Sequence, residues 1–145
     1  MSILIKKITE EKELEKAFDI RKIVFVEEQK VAPEEEYDEF ETTSTHFLAL
    51  YNQKEVGTAR WRFTEKGIKL ERFAVLASAR NKGVGQALVA AVLESVRNTP
   101  DTKNKTIYLH AQLLAMGLYQ KFHFKAVGNQ FEEANIQHYK MILEG

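Results

Sequence analysis

One segment constrains the fold more than any other part of the chain. Residues 69–88 carry a β-rich run, a basic loop with two glycines and an amphipathic helical pattern in direct succession. The run at 69–76 predicts a strand, and apolar residues recur at helical spacing from Val84 onward. A helix begins with backbone N–H groups that lack intrahelical partners and with the positive end of its dipole. The segment therefore predicts an α/β fold with an anion site where this helix begins.

The loop has the composition of a phosphate-binding loop. Its two glycines lack a Cβ, so a pyrophosphate can approach the backbone of residues 82–86, and Arg80 and Lys82 add positive charge. A Walker loop would need Lys followed by Ser or Thr where Gln86 stands, and a dinucleotide-binding fingerprint would need a third glycine. Taken alone, the loop could also be a surface loop whose glycines only begin a helix.

The first forty residues predict a strand, a helix and an acidic segment. Residues 3–7 alternate as in a short strand, and Thr9 is a candidate N-cap for a helix that runs to about Val26. Between positions 27 and 41 lie eight acidic residues and one lysine. This segment predicts a loop or a short irregular helix.

The remaining sequence alternates between β-rich and helical patterns, and the turn signals between the early strands indicate antiparallel hairpins. We therefore expect one α/β domain over residues 1–145, with a mixed sheet. Strands are predicted at 46–50, 55–63, 69–76, 106–111, 125–127 and 138–143, and helices at 84–98 and 113–121.

The composition excludes several classes of function. The 21 basic and 21 acidic residues cancel, which disfavours a nucleic-acid binder or a membrane-surface protein. The absence of cysteine excludes disulfides, thiolate zinc sites and an acyl-cysteine intermediate, and the four histidines have no metal-ligand spacing, so we expect no metal. No apolar run reaches the length of a membrane span, and the amino terminus does not have the pattern of a signal peptide. We expect a cytoplasmic protein.

Two motifs resemble the coenzyme site of a known family. Residues 80–85, RNKGVG, resemble the R-x-x-G-x-G loop of the GNAT acetyltransferases. Residues 118–124 are similar to the second coenzyme motif of that family, a short helix that carries a tyrosine and ends on an aromatic residue, although His123 stands where the motif usually has glycine. The resemblance implies a GNAT-like domain with a mixed, mostly antiparallel sheet flanked by helices.

Segments outside these motifs resemble the ElaA/YjcF-like branch of the family. They are residues 21–29 with the sequence RKIVFVEEQ, the triplet at 36–38, His46, and the tail at 130–141 with His138. The resemblance thus covers nearly the whole chain. It implies an N-acetyltransferase that uses acetyl-CoA as co-substrate and a small-molecule or peptide amine as acceptor.

The resemblance also assigns the coenzyme contacts. It places the pantetheine arm along the strand at 73–75 and the pyrophosphate on residues 82–86, and a backbone N–H near Ala74 or Val75 would polarise the thioester carbonyl. Without cysteine, transfer is expected as direct attack by a primary amine in a ternary complex. The residues predicted to bind the coenzyme are Phe73, Ala74, Val75, Arg80, Asn81, Lys82, Gly83, Val84, Gly85, Gln86, Tyr119 and Phe122.

Tyr119 is the predicted general acid, because a phenol keeps its proton at neutral pH and can donate it to the departing thiolate; it could instead be a core aromatic residue. Glu71 and His138 are the candidate bases, with Glu28 or a chain of water molecules as alternatives. Glu28 and Arg72 are the candidate substrate-binding residues, while the neighbouring arginines at 60 and 62 could line the cleft or pair with acids.

The acidic segment at 27–41 lies where the family builds its acceptor site. It is either a solvated loop or the wall of a negative cleft that attracts a cationic amine. The alternative function is a non-catalytic acyl-CoA sensor or interaction module that keeps the phosphate loop. The sequence leaves the acceptor and the oligomeric state open, a homodimer included.

Overall fold

A seven-stranded sheet organises residues 2–144, the part of the chain that the computed structural model describes. The strands, in chain order, are β1 (Ile3–Lys7), β2 (Thr45–Tyr51), β3 (Lys54–Thr64), β4 (Gly67–Val75), β5 (Ile107–Gln112), β6 (Phe124–Glu133) and β7 (Ile136–Leu143). Their order across the sheet is β1-β2-β3-β4-β5-β7-β6. The α-helices are α1 (Glu11–Arg21), α2 (Pro33–Glu36), α3 (Val84–Arg97) and α4 (Met116–Gln120).

The first four strands form an antiparallel meander, as predicted. The β2–β3 hairpin is closed by Asn52 and Gln53, whose φ angles of 50° and 72° are the left-handed conformation that a two-residue hairpin turn requires at both positions. The pairing of β4 with β5 is the parallel exception, and β5, β7 and β6 are again antiparallel. The expected mixed, mostly antiparallel sheet is confirmed.

Strands β4 and β5 pair over only a short distance. Their register runs from Ile68 opposite Ile107 to Leu70 opposite Leu109, and it stops there. Beyond these residues the two strands continue to Val75 and Gln112 without pairing with each other. The sheet is therefore split at its centre, and the split opens towards the carboxyl ends of both strands.

Helices cover both faces of the sheet because the strands alternate their apolar side chains. On β2, Phe47 packs in the cluster that contains the buried residues of α3, whereas Leu48 packs with Ile20 of α1 on the opposite face. The predicted amphipathic helix is confirmed in α3, whose buried residues are Val84, Leu88, Val89, Val92, Leu93 and Val96. No helix among residues 2–144 combines the length and the apolar character that crossing a membrane requires.

The amino-terminal helix differs in detail from the prediction. Its N-cap is Glu10 rather than Thr9, and the Glu13 side chain accepts hydrogen bonds from the backbone N–H groups of both residues. The α-helix ends at Arg21 instead of Val26, and the chain continues as a wider π-helical stretch over Lys22–Glu28. The acidic segment contains the short helix α2, as predicted, with Pro33 in its first turn.

Candidate active site

The split between β4 and β5 opens into a cavity of about 600 Å³. Its walls come from β4, from the ends of β5 and β7, and from the π-helical stretch and acidic segment on the other side. The predicted site residues that line it are Glu28, Glu71, Arg72, Phe73, Ala74, Val75, Arg80, Tyr119 and His138. The cavity lining does not include Asn81, Lys82, Gly83, Val84, Gly85, Gln86 and Phe122.

The predicted anion loop lies beside the cavity, at the start of α3. Gly83 is the N-cap residue, and its φ of 89° is a conformation that favours a residue without a Cβ. Neither this residue nor another side chain caps the helix, and Lys82, Gly83 and Gln86 are exposed. The first backbone N–H groups of α3 are thus open to an anion. The side chain of Val84, in contrast, is buried in the core, so that only its backbone can contact a ligand.

Gly85 lies where the two coenzyme motifs meet. A Cβ at this position would lie 3.4 Å from Cδ2 of Leu118, in ordinary contact with α4. An alanine would therefore fit at this position without a shift of α4. The start of α3 lies next to the helix that carries Tyr119, a residue of the cavity lining.

Two residues that were predicted to bind different substrates bind each other. Arg80 Nη2 lies 2.8 Å from Glu28 Oε1, and Arg80 Nε donates a hydrogen bond to the carbonyl oxygen of Val75 at 2.9 Å. This pair connects the end of β4 with the end of the π-helical stretch across the rim of the cavity. The charge of Arg80 is thus partly neutralised beside the anion loop.

Tyr119 is a buried aromatic residue whose ring packs edge-on against Phe73 at 5.6 Å and Phe124 at 6.2 Å between ring centroids. Among the described residues no group forms a hydrogen bond with its hydroxyl. Burial raises the pKa of the phenol, which keeps its proton throughout the neutral range. Tyr119 is therefore a core residue on one side and a protonated group at the cavity wall on the other.

His123 shows how the chain departs from the family motif without losing the turn. Its φ is 73°, the left-handed conformation that the usual glycine would adopt without strain. Its N–H donates to the carbonyl oxygen of Gln120, and its own carbonyl accepts from Glu144. The turn after α4 thus keeps a glycine-like geometry. Phe122 in the same turn packs at the margin of the main core cluster.

A buried network of ion pairs surrounds Arg60 of β3 and Glu71 of β4. Arg60, which is fully buried, contacts Asp38, Glu41 and Glu71, and Glu71 also contacts Arg62 and Lys69. Burial alone would raise the pKa of the Glu71 carboxyl, but the charges of the three surrounding cations lower that pKa to about 2. Arg60 therefore pairs with acids, whereas Arg62 both pairs with an acid and lines the cavity.

The acidic segment is tied to this network rather than being fully solvated. Arg21 donates hydrogen bonds to Glu36 and to both carboxylate oxygens of Glu41, and its side chain is 1% exposed. Burial raises the pKa of Glu36, whose Oε2 has no hydrogen-bond partner within residues 2–144. Part of the segment is thus a cavity wall held by arginines, with Glu35, Glu36 and Asp38 in the lining.

Arg72 lies in a β-bulge of β4. Glu71 is opposite Arg60 and Ala74 is opposite Thr58, so β4 has one residue more than β3 in this stretch. Arg72 has a φ of 60°, an unusual conformation for a long side chain. The bulge directs its guanidinium to the backbone carbonyl of Glu36 and to Asp38 Oδ2 at 3.2 Å. Arg72 therefore fixes the acidic wall.

The opposite wall carries a group of residues that the sequence analysis only partly identified. His138 is 6% exposed, and its Nδ1 lies 2.7 Å from the carbonyl oxygen of Ile136. His110 Nδ1 lies 3.1 Å from Glu133 Oε1, while Glu133 Oε2 lies 3.9 Å from His138 Nε2. His110 and Glu133 were missed because each is unremarkable in its own segment. The two-residue alternation of His110 and Gln112, which both line the cavity, was the available signal.

Comparison with known proteins identifies this arrangement. A family profile described as an acetyltransferase (GNAT) domain matches residues 8–144. The chain belongs to the GNAT acetyltransferase family. It is therefore an acyltransferase, and acetyl-CoA-dependent N-acetylation is the general reaction of its family. As a property of the family, the predicted use of acetyl-CoA as co-substrate is confirmed.

Two relatives also confirm the resemblance to the ElaA/YjcF-like branch of the family. The chain is 37% identical over 135 residues to the uncharacterized N-acetyltransferase YjcF of Bacillus subtilis, covering 92% of this chain and 94% of YjcF. It is 32% identical over 131 residues to the protein ElaA of Escherichia coli, covering 86% and 83% of the two chains.

Solved structures confirm the fold. The crystal structure of Escherichia coli ElaA superposes with a TM-score of 0.85 at 28% identity and covers 99% of this chain and all of the other. A GNAT family acetyltransferase from Elizabethkingia anophelis, solved with acetyl-CoA bound, has a TM-score of 0.71 at 18% identity and covers 98% and 97% of the two chains. At 18% identity, this second comparison shows that the two proteins share a fold.

Proposed function

We propose that this GNAT acetyltransferase transfers an acetyl group from acetyl-CoA to a primary amine by direct attack in a ternary complex. The observation that carries the proposal is the cavity at the split between β4 and β5. It brings the unpaired edge of Phe73–Val75, the phenol of Tyr119 and the ring of His138 to one space, and it lies beside the open start of α3.

The residues of the chain fit the coenzyme. The exposed N-terminus of α3 would bind the pyrophosphate through its backbone N–H groups, and the left-handed Gly83 leaves room for it. The edge of β4 at 73–75 has no strand partner on the β5 side, so its backbone could bind the amide groups of the pantetheine arm, apart from the Val75 carbonyl that accepts a hydrogen bond from Arg80. The acetyl-CoA complex of the protein from Elizabethkingia anophelis supports this use of the fold.

Tyr119 would protonate the sulfur as it leaves. Acetyl transfer forms a C–N bond, breaks the C–S bond and moves one proton from the amine to a base and one from an acid to the thiolate. The phenol is protonated at neutral pH, and its hydroxyl has no competing partner among residues 2–144. Burial makes the phenol a weaker acid, but the same surroundings make the departing thiolate more basic, so the two effects offset each other.

The environments of the two candidate bases favour His138 over Glu71. A carboxylate with a pKa of about 2 that is held by three cations accepts a proton poorly near neutral pH. If the Nδ1 of His138 donates to the carbonyl oxygen of Ile136, its Nε2 carries the lone pair that a base needs. In this account Glu71 holds β4 and its arginines in place, while His138 accepts the proton of the amine.

The acceptor would enter between the acidic wall and the β7 wall. Arg72 and Glu28 are the proposed substrate-binding residues, although each is engaged with a protein group, so they would shape the entrance more than bind a charge. A cavity whose lysine and arginine side chains are all paired with carboxylates suits a cationic amine better than an anionic one.

The experiment that tests the proposal is thiol release from acetyl-CoA with a panel of amines that covers polyamines, amino sugars, amino acids and lysine peptides. We expect at least one acceptor to give thiol release and a product that is heavier by one acetyl group. Binding of coenzyme A without thiol release for every amine would contradict the proposal and favour an acyl-CoA sensor.

A further inference from the structure

We infer that Glu133 is a positioning residue for acetyl transfer, which holds His138 for proton acceptance and stabilises the imidazolium that forms. This inference rests on the proposed function and adds Glu133 to the residues that take part in it. It starts from a carboxylate that lies between two histidines at the cavity wall, on the side opposite the arginine network.

The backbone holds Glu133 and His138 in a fixed relation. Glu133 is the last residue of β6, and the turn to β7 consists of Ala134 and Asn135, whose φ angles of 52° and 63° suit a two-residue hairpin turn. Glu133 is thus paired with Ile136, whose carbonyl lies 2.7 Å from His138 Nδ1. One tight hairpin therefore sets both the tautomer of the imidazole and the place of the carboxylate.

The two ring nitrogens of His138 have different contacts, so they can play different roles in proton transfer. Nδ1 is occupied by the Ile136 carbonyl, and the ring stacks on Phe131 with an interplanar angle of 21°. Nε2 is the free nitrogen, and Glu133 Oε2 lies 3.9 Å from it. A proton that moves from the amine to Nε2 as the C–N bond forms would create a cation next to this carboxylate.

Neighbouring groups keep Glu133 ionised for this task. The hydrogen bond with His110 lowers the pKa of the Glu133 carboxyl, and the charge of Lys69 on β4 acts in the same direction. The titratable groups that act on this carboxylate are therefore Lys69 from β4, His110 from β5 and His138 from β7. At neutral pH the site presents a carboxylate to His138.

The test compares Glu133→Gln with Glu132→Gln, a control that removes an exposed carboxylate from the adjacent position of the same strand. The kcat of each protein is measured from pH 5 to 9 with an accepted amine. Loss of the carboxylate makes the imidazolium less stable, so in Glu133→Gln the acidic limb of the kcat profile should move to lower pH. The plateau should fall roughly three- to tenfold because the base is weaker, with both KM values unchanged.

Glu133→Asp separates charge from shape, because it keeps a carboxylate on a shorter side chain. We expect its acidic limb to stay closer to that of the wild type than the limb of Glu133→Gln does. A loss of kcat that is equal at every pH, or kcat profiles of Glu133→Gln and wild type that coincide, would overturn the inference.

An NMR titration of the His138 ring signals, assigned with His138→Gln, makes the test independent of turnover. In Glu133→Gln these signals should titrate at lower pH than in the wild type, and in Glu132→Gln at the wild-type pH. Identical titrations in wild type and Glu133→Gln would refute the pairing itself. An absence of thiol release from the wild type with every amine would instead refute the proposed function, and with it the catalytic part of this inference.

Discussion

At the scale of single residues, burial and charge give different protonation states to two side chains that the sequence indicated only as candidates. Tyr119 and Glu71 line the same cavity and are both largely buried, but burial raises the pKa of the phenol, whereas three cations lower that of the carboxyl to about 2. One group therefore stays protonated and the other stays ionised at neutral pH. This separation underlies the proposed roles of an acid and of an electrostatic anchor.

Replacing Tyr119 by phenylalanine should abolish most of the turnover while preserving the fold. The substitution keeps the ring that packs on Phe73 and removes a hydroxyl that has no protein partner within residues 2–144. We expect kcat to fall roughly ten- to a thousandfold, with unchanged affinity for coenzyme A in calorimetry. The matched control is Tyr139→Phe, on β7 but outside the cavity lining. Wild-type turnover in Tyr119→Phe would mean that another group protonates the sulfur.

Replacing Glu71 by glutamine should destabilise the protein in a way that depends on pH. The folded-state pKa of about 2 lies below the ordinary 4.5, so the carboxylate stabilises the fold above about pH 4.5, and this contribution disappears as the pH falls towards 2. Urea unfolding at pH 7 should show a loss of about 3 kcal/mol, and the difference from wild type should shrink between pH 4.5 and 2. The exposed Glu65→Gln is the control, and a deficit that does not change with pH would refute the ion-pair account.

At the scale of elements, periodicity located most of the sheet and α3 correctly, because strands and helices that are half-buried carry regular patterns. It failed for the stretch after Arg21, where the chain widens into a π-helix. Val24 packs in the core there and Arg21 pairs with the acidic segment, and no local pattern encodes either contact. Periodicity could not show the bulge at Arg72 either, because the bulge is set by the register between β3 and β4. Pairs such as His110 and Glu133 meet only once strand order is known.

The proposed pyrophosphate site at the start of α3 can be tested by adding a negative charge that does not destabilise the helix. Gln86 is exposed in the first turn, where a glutamate interacts favourably with the helix dipole but would repel a pyrophosphate. In Gln86→Glu we expect an unchanged or slightly raised free energy of unfolding and roughly tenfold weaker binding of coenzyme A, about 1.4 kcal/mol.

The control for this substitution is Ala90→Glu, which adds the same charge at an exposed position one turn further along α3. Its affinity for coenzyme A in calorimetry should remain within twofold of wild type. Equal affinities in Gln86→Glu and wild type would place the pyrophosphate elsewhere.

At the scale of the whole molecule, one break in the sheet organises the site. Two strands that begin as a parallel pair separate after Leu70 and Leu109, and the space between them receives side chains from both halves of the chain. The residues predicted to bind the coenzyme lie in contiguous segments of the sequence, so the family resemblance could name them together. The acceptor side is assembled from an acidic segment, β5 and the β6–β7 hairpin, so its chemistry emerged only from the fold. The cytoplasmic location and a homodimer stay predictions.

We propose that both substrates occupy this cavity together and that the acetyl group passes directly between them. This proposal is tested most directly by initial rates measured over a matrix of acetyl-CoA and amine concentrations, with the best acceptor of the panel. Direct attack in a ternary complex predicts double-reciprocal lines that intersect. Parallel lines, together with an acetylated enzyme detected by mass spectrometry in the absence of amine, would reveal a covalent intermediate and contradict the account.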